Sequence, residues 1–191
     1  MMAAAMMIGF TGCEKDDNGK DLPNILQVGD KTYELSTACC YSRPNTNSGK
    51  SSNQQIYRYD IFLTNKVYWD NEGIWPDNES TYANCIEVNL YYLYGAGTLT
   101  TMPDGKYVYP TTGEESLSHT GYSDYLLCDE TGVGNWITFG QDYVENSNLE
   151  IKIKHITGEV YEIKFTGGID ESGKPVSGYY KGKIDMFTDN F

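Results

Sequence analysis

The segment from residue 69 to residue 79 has the side-chain types of a ligand-binding site. Two of the three tryptophans lie there among four acidic residues, in the order Trp-Asp-Asn-Glu-Gly-Ile-Trp-Pro-Asp-Asn-Glu. Indole rings stack on sugar rings, carboxylate oxygens bond to sugar hydroxyls, and carboxylates also coordinate calcium. The residues predicted to bind a ligand are Trp69, Asp70, Glu72, Trp75 and Asp77, with calcium as a second reading at Asp70 and Asp77. The alternative is a solvated loop whose tryptophans fold over the edge of the core.

The sequence lacks the usual constellations of catalytic residues. Its only histidines are His119 and His155, and no pair of Cys or His residues has the spacing of a zinc site. A Gly-x-Ser-x-Gly elbow and a Gly-rich phosphate loop are also missing. The 27 acidic residues make carboxylate pairs frequent by chance, so such pairs do not indicate glycoside hydrolysis. We therefore expect a protein that is not an enzyme and needs no cofactor.

The charge balance excludes one large class of partners. The chain of 191 residues has 14 basic and 27 acidic side chains, which gives a formal net charge of −13. Affinity for nucleic acid comes from Lys and Arg that neutralise phosphates, so we expect no nucleic-acid partner. Adsorption to an anionic membrane by charge alone is disfavoured for the same reason. The balance fits cationic partners, divalent ions or a soluble surface that repels its own copies.

The first twelve residues have the pattern of an export signal. Met1 to Phe10 is an uncharged apolar run, about half the length that a membrane-spanning helix needs, and small residues follow it. Thr11-Gly12-Cys13 resembles the lipobox of bacterial lipoproteins, in which the cysteine is lipidated and the preceding peptide is cut off. The resemblance implies a signal peptide over 1–12 and a lipid on Cys13. The alternative is an apolar first strand with an ordinary cysteine.

The residues after Cys13 indicate where the chain is displayed. Cys13-Glu14-Lys15-Asp16-Asp17 resembles the start of mature lipoproteins from Bacteroidetes, in which such a cluster directs display on the outer face of the outer membrane. The resemblance implies a lipid-anchored protein that faces outside the cell. The polar stretch up to Asn24, punctuated by Gly and Pro, has the composition of a linker. We thus expect a tether over 13–24 and a single domain over 25–191.

Four cysteines remain beyond the lipidation site, and an even number in an exported chain permits two disulfides with three connectivities. The candidates are Cys39, Cys40, Cys85 and Cys128. Neighbouring residues on a strand point to opposite faces, so Cys39 and Cys40 are not expected to bond to each other, and at most one of them faces the core. A disulfide would join one of this pair to Cys85 or Cys128. The alternative is buried, free thiols.

From Ile25 onward, apolar residues recur at every second position, which is the period of a β-strand. Cys85–Tyr94 is the strongest such strand. Near the carboxyl end, three alternating strands are separated by short turns at 157–158 and 170–174, which predicts an antiparallel meander with one face exposed to water. Eight or more strands predict an all-β fold, namely an antiparallel β-sandwich, with a closed lipocalin-like β-barrel as the alternative.

Several segments of the domain resemble a family of small, uncharacterised surface lipoproteins of Bacteroidetes. The matching segments are Gly29–Leu35, Val88–Tyr94, Pro103–Tyr109, Glu159–Phe165 and Ser172–Gly182. The resemblance implies a small all-β domain after a lipobox, and it carries over no catalytic residue. We expect a binding module for a glycan or a surface protein. The alternatives are a structural component of a surface complex or fibre, and a barrel that carries a small apolar ligand.

Overall fold

The computed structural model describes residues 22–45, 55–65, 85–94, 101–108, 118–128, 134–138 and 148–188. In these ranges the chain forms twelve β-strands and no helix. The strands are β1 (Ile25–Val28), β2 (Lys31–Glu34), β3 (Thr37–Asn45), β4 (Gln55–Thr64), β5 (Cys85–Tyr94), β6 (Gly105–Val108), β7 (Ser118–Cys128), β8 (Gly134–Thr138), β9 (Glu150–Thr157), β10 (Val160–Ile169), β11 (Pro175–Lys183) and β12 (Asp185–Thr188). The all-β prediction is confirmed.

The first sheet has the strand order β2-β1-β11-β10-β9-β6, and every neighbouring pair is antiparallel. Its centre is the meander β9-β10-β11 that the alternation and turns near the carboxyl end predict. The turn between β9 and β10 places Gly158 at a φ of 52°. Glycine adopts this left-handed conformation without the steric cost that a Cβ brings. The turn predicted at 157–158 therefore coincides with the end of β9 at Thr157.

The second sheet has the order β12-β3-β4-β5-β7-β8. All of its pairs are antiparallel except the one at the edge, where β12 runs parallel to β3. A parallel pair requires a long crossover connection. Here the long path through the rest of the chain supplies it, because β3 lies near the start of the domain and β12 at its end. The sandwich is therefore antiparallel with one parallel edge pair.

Two segments that read as single strands in the sequence are each divided between the sheets. The alternating segment from Lys31 to Cys40 breaks at Leu35 and Ser36. The backbone N–H of Leu35 donates to Asn24 O at 3.0 Å in the first sheet, and that of Ser36 donates to Thr64 O at 2.8 Å in the second. Period-two alternation continues through such a crossing, so the pattern alone does not reveal it.

The alternating segment after the turn at 170–174, Pro175 to Phe187, breaks in the same way at Ile184. The N–H of Ile184 donates to Glu159 O at 2.8 Å, and the next residue, Asp185, already pairs with Cys39 of the second sheet. Ile184 is fully buried at this crossing. The two crossings therefore connect the sheets, from β2 to β3 near one end of the domain and from β11 to β12 near the other.

The inner faces of the two sheets enclose one core, which confirms the sandwich and makes the closed-barrel alternative wrong. Tyrosine rings fill much of the space, with Tyr59 from the second sheet and Tyr107 and Tyr161 from the first. The hydroxyl of Tyr107 donates to Pro103 O at 2.8 Å, and that of Tyr161 accepts from Met102 N at 3.3 Å. These bonds compensate part of the cost of burying a phenol.

Candidate functional site

The predicted ligand loop and the predicted lipidation site lie outside the residues that the structure describes. This holds for Trp69, Asp70, Glu72, Trp75 and Asp77, and for Cys13. The sugar, calcium and lipid assignments at these positions therefore stay predictions.

The two adjacent cysteines of β3 are both fully buried, and both are thiols rather than halves of a disulfide. Cys40 faces the common core, whereas Cys39 lies on the opposite face of the strand, as the pleat requires. Burial, and after it the charge of Asp60, raises the pKa of the Cys40 thiol well above its ordinary value of 9.0. Cys40 is therefore a packing residue and not a nucleophile.

The other two cysteines are described only by their backbone positions. Cys85 begins β5 opposite Leu126, and Cys128 ends β7 opposite Gly134. Because β5 and β7 are neighbours, the two positions lie on adjacent strands, two residues apart in register. The predicted disulfide from Cys39 or Cys40 to Cys85 or Cys128 is not formed, because both cysteines of β3 are thiols.

The outer face of the first sheet carries a continuous cross-strand row of residues. The pairing register places one residue from each of the six strands in line, in the order Lys106, Lys152, Lys164, Tyr179, Ile25 and Glu34. Neighbouring strands are about 4.8 Å apart, so the row is about 24 Å long. It runs across the strands, from a cationic end on β6 to an acidic end on β2.

The cationic end of the row consists of three lysines that are directly opposite one another on adjacent strands. Lys106 and Lys152 are more than half exposed, and Lys164 is half-buried. Like charges at directly opposite positions destabilise a sheet. Partial burial, and next to it the charge of Lys152, holds the pKa of Lys164 below its ordinary value. The crowding of these three ammonium groups thus works against the stability of the sheet.

One carboxylate offsets part of this repulsion. Glu150 forms ion pairs with both Lys106 and Lys152, the latter at 3.0 Å. The hydrogen bond from Lys106 contributes most to lowering the pKa of Glu150, and the bond from Lys152 adds to it. Glu150 is therefore ionised at neutral pH, and it forms ion pairs with two of the three lysines.

The neighbouring positions on the same face extend the positive charge. Glu162 on β10 is opposite Lys154 on one side and Lys181 on the other. Together with the three lysines of the row, this gives five lysines against two glutamates on β6, β9, β10 and β11. Lys183 lies on the same face, but it forms ion pairs with Glu159 at 3.3 Å and Asp185 at 2.7 Å. We call the five lysines Lys106, Lys152, Lys154, Lys164 and Lys181 the lysine face.

The other end of the row opens into a groove of about 680 Å³ beside β1 and β2. Leu22, Pro23 and Ile25 give it an apolar side. Its polar groups are the side chains of Asn24, Glu34, Ser36 and Lys181. Lys181 belongs both to the lining of the groove and to the lysine face. Tyr179, which lies between Lys164 and Ile25 in the row, is only 1% exposed, so the row itself is not exposed along its whole length.

Hydrogen bonds hold several of the residues that line the groove in place. The side-chain amide of Asn24 accepts a hydrogen bond from Lys181 N at 2.7 Å and donates one to Lys181 O at 3.2 Å. These are the same two backbone groups that a neighbouring strand would pair with. The hydroxyl of Ser36 donates to Asn65 O at 2.9 Å. Such bonds hold the rim in place before any ligand arrives, which lowers the entropic cost of binding.

The histidine on β9 has a structural role at the far end of the sheet. The backbone N–H of His155 donates to Asp104 Oδ1 at 2.5 Å, and its ring packs on Tyr161 with ring centroids 4.8 Å apart. Its Nε2 lies 2.7 Å from Gly158 O. Within the described parts of the chain, no group of three or more His, Cys, Asp or Glu side chains is placed to hold a metal ion.

Comparison with known proteins finds no match: no protein-family model, no curated protein and no solved structure is similar to this chain. The described residues also contain no helix that is long and apolar enough to cross a membrane. The functional argument therefore depends on the outer face of the first sheet.

Sequence reasoning assigns the lysines of β9, β10 and β11 to the wet face of the meander but does not identify them as a site. Lys152 and Lys164 are 12 positions apart, and only the register shows that they are directly opposite each other. The turn at Gly158 and the length of the β9 strand fix that register. Counting residues outward from this turn along both strands predicts which residues pair. The prediction is off by one residue, because a bulge beside Val160 shifts the register.

Proposed function

We propose that this chain is a non-catalytic, lipid-anchored module of the cell surface that binds a glycan on the outer face of its first sheet. The observation that carries the proposal is the groove of about 680 Å³ beside Ile25 and Glu34, which has an apolar side and several polar groups. Sugars present this mixture of apolar and hydrogen-bonding surfaces.

The chemistry of the groove supports a sugar in particular. Pyranose rings have an apolar face that packs on side chains such as Ile25 and Pro23, and hydroxyls around their rim. Asn24, Ser36 and Glu34 provide an amide, a hydroxyl and a carboxylate at that rim. Binding sites of this kind combine an apolar surface with a few placed polar groups. A flat protein interface uses a larger apolar centre, so the glycan is favoured over a surface protein.

The experiment is a glycan-array screen of the purified chain, followed by the variants Ser36→Tyr and Thr157→Tyr. Ser36 is exposed and lines the groove, so its replacement by tyrosine fills the recess and should weaken binding more than about tenfold. Thr157 is also exposed but is the last residue of β9 and does not line the groove, so its variant is the matched control. Equal binding by both variants would exclude the groove.

The same screen separates the groove from the predicted ligand loop. Trp75→Ala removes an aromatic anchor of the kind that typically contributes about 2 kcal/mol to an interface. If Trp75→Ala abolishes binding and Ser36→Tyr leaves it intact, the glycan binds at the loop. If neither change affects a bound glycan, both assignments fail.

The lipid anchor is tested separately at Cys13. Several acyl chains hold a protein on a membrane firmly, since each buried methylene contributes about 0.8 kcal/mol. We expect the full chain to incorporate labelled fatty acid and to sediment with membranes, and Cys13→Ala to do neither. Cys40→Ala is the control because its thiol is buried in the core. Labelling of Cys13→Ala at the level of the parent chain contradicts the anchor.

A further inference from the structure

The groove lies where the polar tether enters the domain. Leu22 is the first residue that the structure describes, and it lines the groove together with Pro23 and Asn24. Leu22 is also only nine residues after Cys13, the residue predicted to carry the lipid. The entry point of the tether and one side of the groove therefore consist of the same residues.

Hydrogen bonds fix this entry point to the first sheet. The side chain of Asn24 bonds to both backbone groups of Lys181, at 2.7 and 3.2 Å, and its backbone oxygen accepts from Leu35 N at 3.0 Å. These bonds join the entry to β11 on one side and to the end of β2 on the other. The groove therefore stays beside the point at which the tether leaves the domain.

The length of the tether limits how far the groove can lie from the membrane. A chain spans at most about 3.3–3.6 Å per residue, so the path from Cys13 to Leu22 extends over about 32 Å at most. The headgroup layer on each side of a bilayer is about 5–8 Å thick. With the lipid of Cys13 in the bilayer, the groove is confined to the space next to the membrane, where the saccharides of glycolipids are concentrated.

The charges of the groove favour an uncharged sugar. Its lining includes one carboxylate, Glu34, and one ammonium group, Lys181, whose formal charges cancel. The net charge of −13 also opposes adsorption of the whole chain to anionic headgroups. A neutral saccharide avoids this repulsion, and its hydroxyls still find hydrogen-bonding partners at the rim.

The size of the groove favours a short saccharide segment. Its volume of about 680 Å³ lies within the range of about 300–1,000 Å³ that is typical of sites for small molecules. A headgroup of a few sugar units fills such a recess, and the remainder of the glycolipid stays in the membrane.

We infer that the groove binds the neutral sugars of a glycolipid that lies in the same membrane as the chain's own lipid anchor. The inference rests on the proposed function, and it names the class and the source of the glycan. Two partners that a short linker holds on one surface meet at an effective concentration on the order of mM. A free glycan of equal affinity fills the groove only at a comparable concentration in solution.

The position of the groove also disfavours a glycan on a second cell. A site for such a glycan is best placed at the end of the domain that is farthest from the anchor. The turns at 29–30 and 170–174 form that end of the first sheet, because the pairing of β1, β10 and β11 places them opposite the entry of the tether. The groove lies at the other end, beside Leu22.

The test places the photo-crosslinking amino acid p-benzoylphenylalanine at Thr32 in the full, lipidated chain on the cells that produce it. Thr32 is exposed and shares a face of β2 with Glu34, about 7 Å away along the strand, so the probe reaches the groove without filling it. After irradiation, mass spectrometry of the purified chain identifies the adduct. We expect adducts that contain both neutral sugars and fatty acyl chains.

Two controls assign these adducts to the groove. Ser36→Tyr fills the recess, so in the chain that carries the probe at Thr32 it should lower the yield of glycolipid adducts more than about tenfold. The same probe at Thr157 is exposed near the same end of the sheet but outside the groove, and it should give far fewer adducts. Equal yields at Thr32 and Thr157 indicate general contact with the membrane and overturn the inference.

A longer tether tests the source of the sugar. An insertion of about 30 Gly and Ser residues between Asp17 and Asn18 lengthens the tether about fourfold, and effective concentration falls roughly as the −3/2 power of linker length. We therefore expect the yield of glycolipid adducts to fall several-fold. Binding of the purified chain to array glycans should not change, because the insertion leaves the groove intact. An unchanged adduct yield overturns the inference.

The remaining outcomes separate the inference from the proposed function. Adducts that contain sugars without acyl chains mean that the groove binds a free glycan, so the proposed function stands and the inference is wrong. Adducts with acidic sugars only, or with lipids that carry no sugar, also overturn the inference. If neither the array nor the probe at Thr32 finds a sugar, the proposed function and the inference are both wrong.

Discussion

At the scale of single residues, the carboxylate of Asp170 organises the turn between β10 and β11. Asp170 is buried, and its Oδ1 accepts hydrogen bonds from the backbone N–H and hydroxyl of Ser172 and from the N–H of Lys174, all between 2.8 and 2.9 Å. Gly173 follows with a φ of 82°, which only glycine adopts freely. The predicted turn at 170–174 is thus built around one side chain.

We expect Asp170→Ala to lower the free energy of unfolding by about 2 kcal/mol, because hydrogen bonds to a charged group contribute about 1.5–3 kcal/mol. Urea denaturation followed by tryptophan fluorescence measures the change. Glu171→Ala, at the exposed neighbouring residue, should stay within about 0.5 kcal/mol of the parent. Equal midpoints for the two variants would show that Asp170 does not hold the turn.

The thiol of Cys40 gives a second prediction at this scale. Only the thiolate reacts with alkylating reagents, and both burial and a raised pKa keep Cys40 protonated. At about pH 8, iodoacetamide should therefore leave Cys40 unmodified in the native chain and modify it in urea. Mass spectrometry of the tryptic peptide decides between these states. Modification of native Cys40 at the rate seen in urea would mean that this part of the core opens.

At the scale of elements, the close contact between β1 and β11 depends on Gly178. A Cβ at this position would lie 2.6 Å from the backbone oxygen of Ile25 and would overlap the ring of Phe165. We expect Gly178→Ala to destabilise the fold by about 1–3 kcal/mol, since overpacking of a core forces backbone shifts. Thermal unfolding measures it, with Ser177→Ala on the adjacent, half-buried position as control. A variant as stable as the parent would show that β1 can move away from β11.

The elements also mark the limit of what the sequence reveals. Alternation identifies the strands with their inner residues, such as Ile151, Ile163 and Phe165, because one face is buried and the other is wet. It does not reveal the crossings at Leu35 and Ile184, where the chain changes sheets without interrupting the period. It gives no cross-strand register for the lysine row, which depends on the length of a turn and a bulge. The predicted ligand loop lies outside the described residues, so it adds no geometry.

The edges of the two sheets bear on the alternative of a fibre component. The edge strands β2, β6 and β12 have four residues each, and β8 has five. Short edge strands limit pairing with another chain. The described edges therefore give less support to assembly through strand pairing than the groove gives to ligand binding.

At the scale of the whole molecule, net charge and local charge indicate different partners. The total of −13 favours cationic partners, whereas three lysines are directly opposite one another on the first sheet. Both hold because charges act mainly within about 10 Å in physiological salt. A charged group beside Lys152 therefore experiences Glu150 and the four other lysines of the lysine face more than distant charges. Composition alone predicts solubility better than it predicts the ligand.

The tyrosine-rich core makes the whole fold sensitive to alkali. Burial raises the pKa of Tyr59 and Tyr161, and that of Tyr180 from 10.0 to about 12. In the unfolded chain these phenols ionise near their ordinary value of 10.0, so the unfolded state loses protons that the folded state retains. The stability that these groups contribute is thus fully present below that pH and is lost as the pH rises above it.

Urea midpoints measured from about pH 8 to about pH 11 should fall steeply beyond about pH 10, by up to about 1.4 kcal/mol per pH unit for each buried phenol. Tyr59→Phe tests the cause, because the buried hydroxyl of Tyr59 has no hydrogen-bond partner among the described residues and the phenyl ring keeps the packing. We expect this variant to match or exceed the stability of the parent at about pH 8 and to lose less on the way to about pH 11. The decrease in the free energy of unfolding per pH unit above about pH 10 should be smaller by the contribution of one phenol. An unchanged slope in Tyr59→Phe would mean that the hydroxyl is ionised as easily in the core as in water, and that the core is open to solvent at the centre of the sandwich.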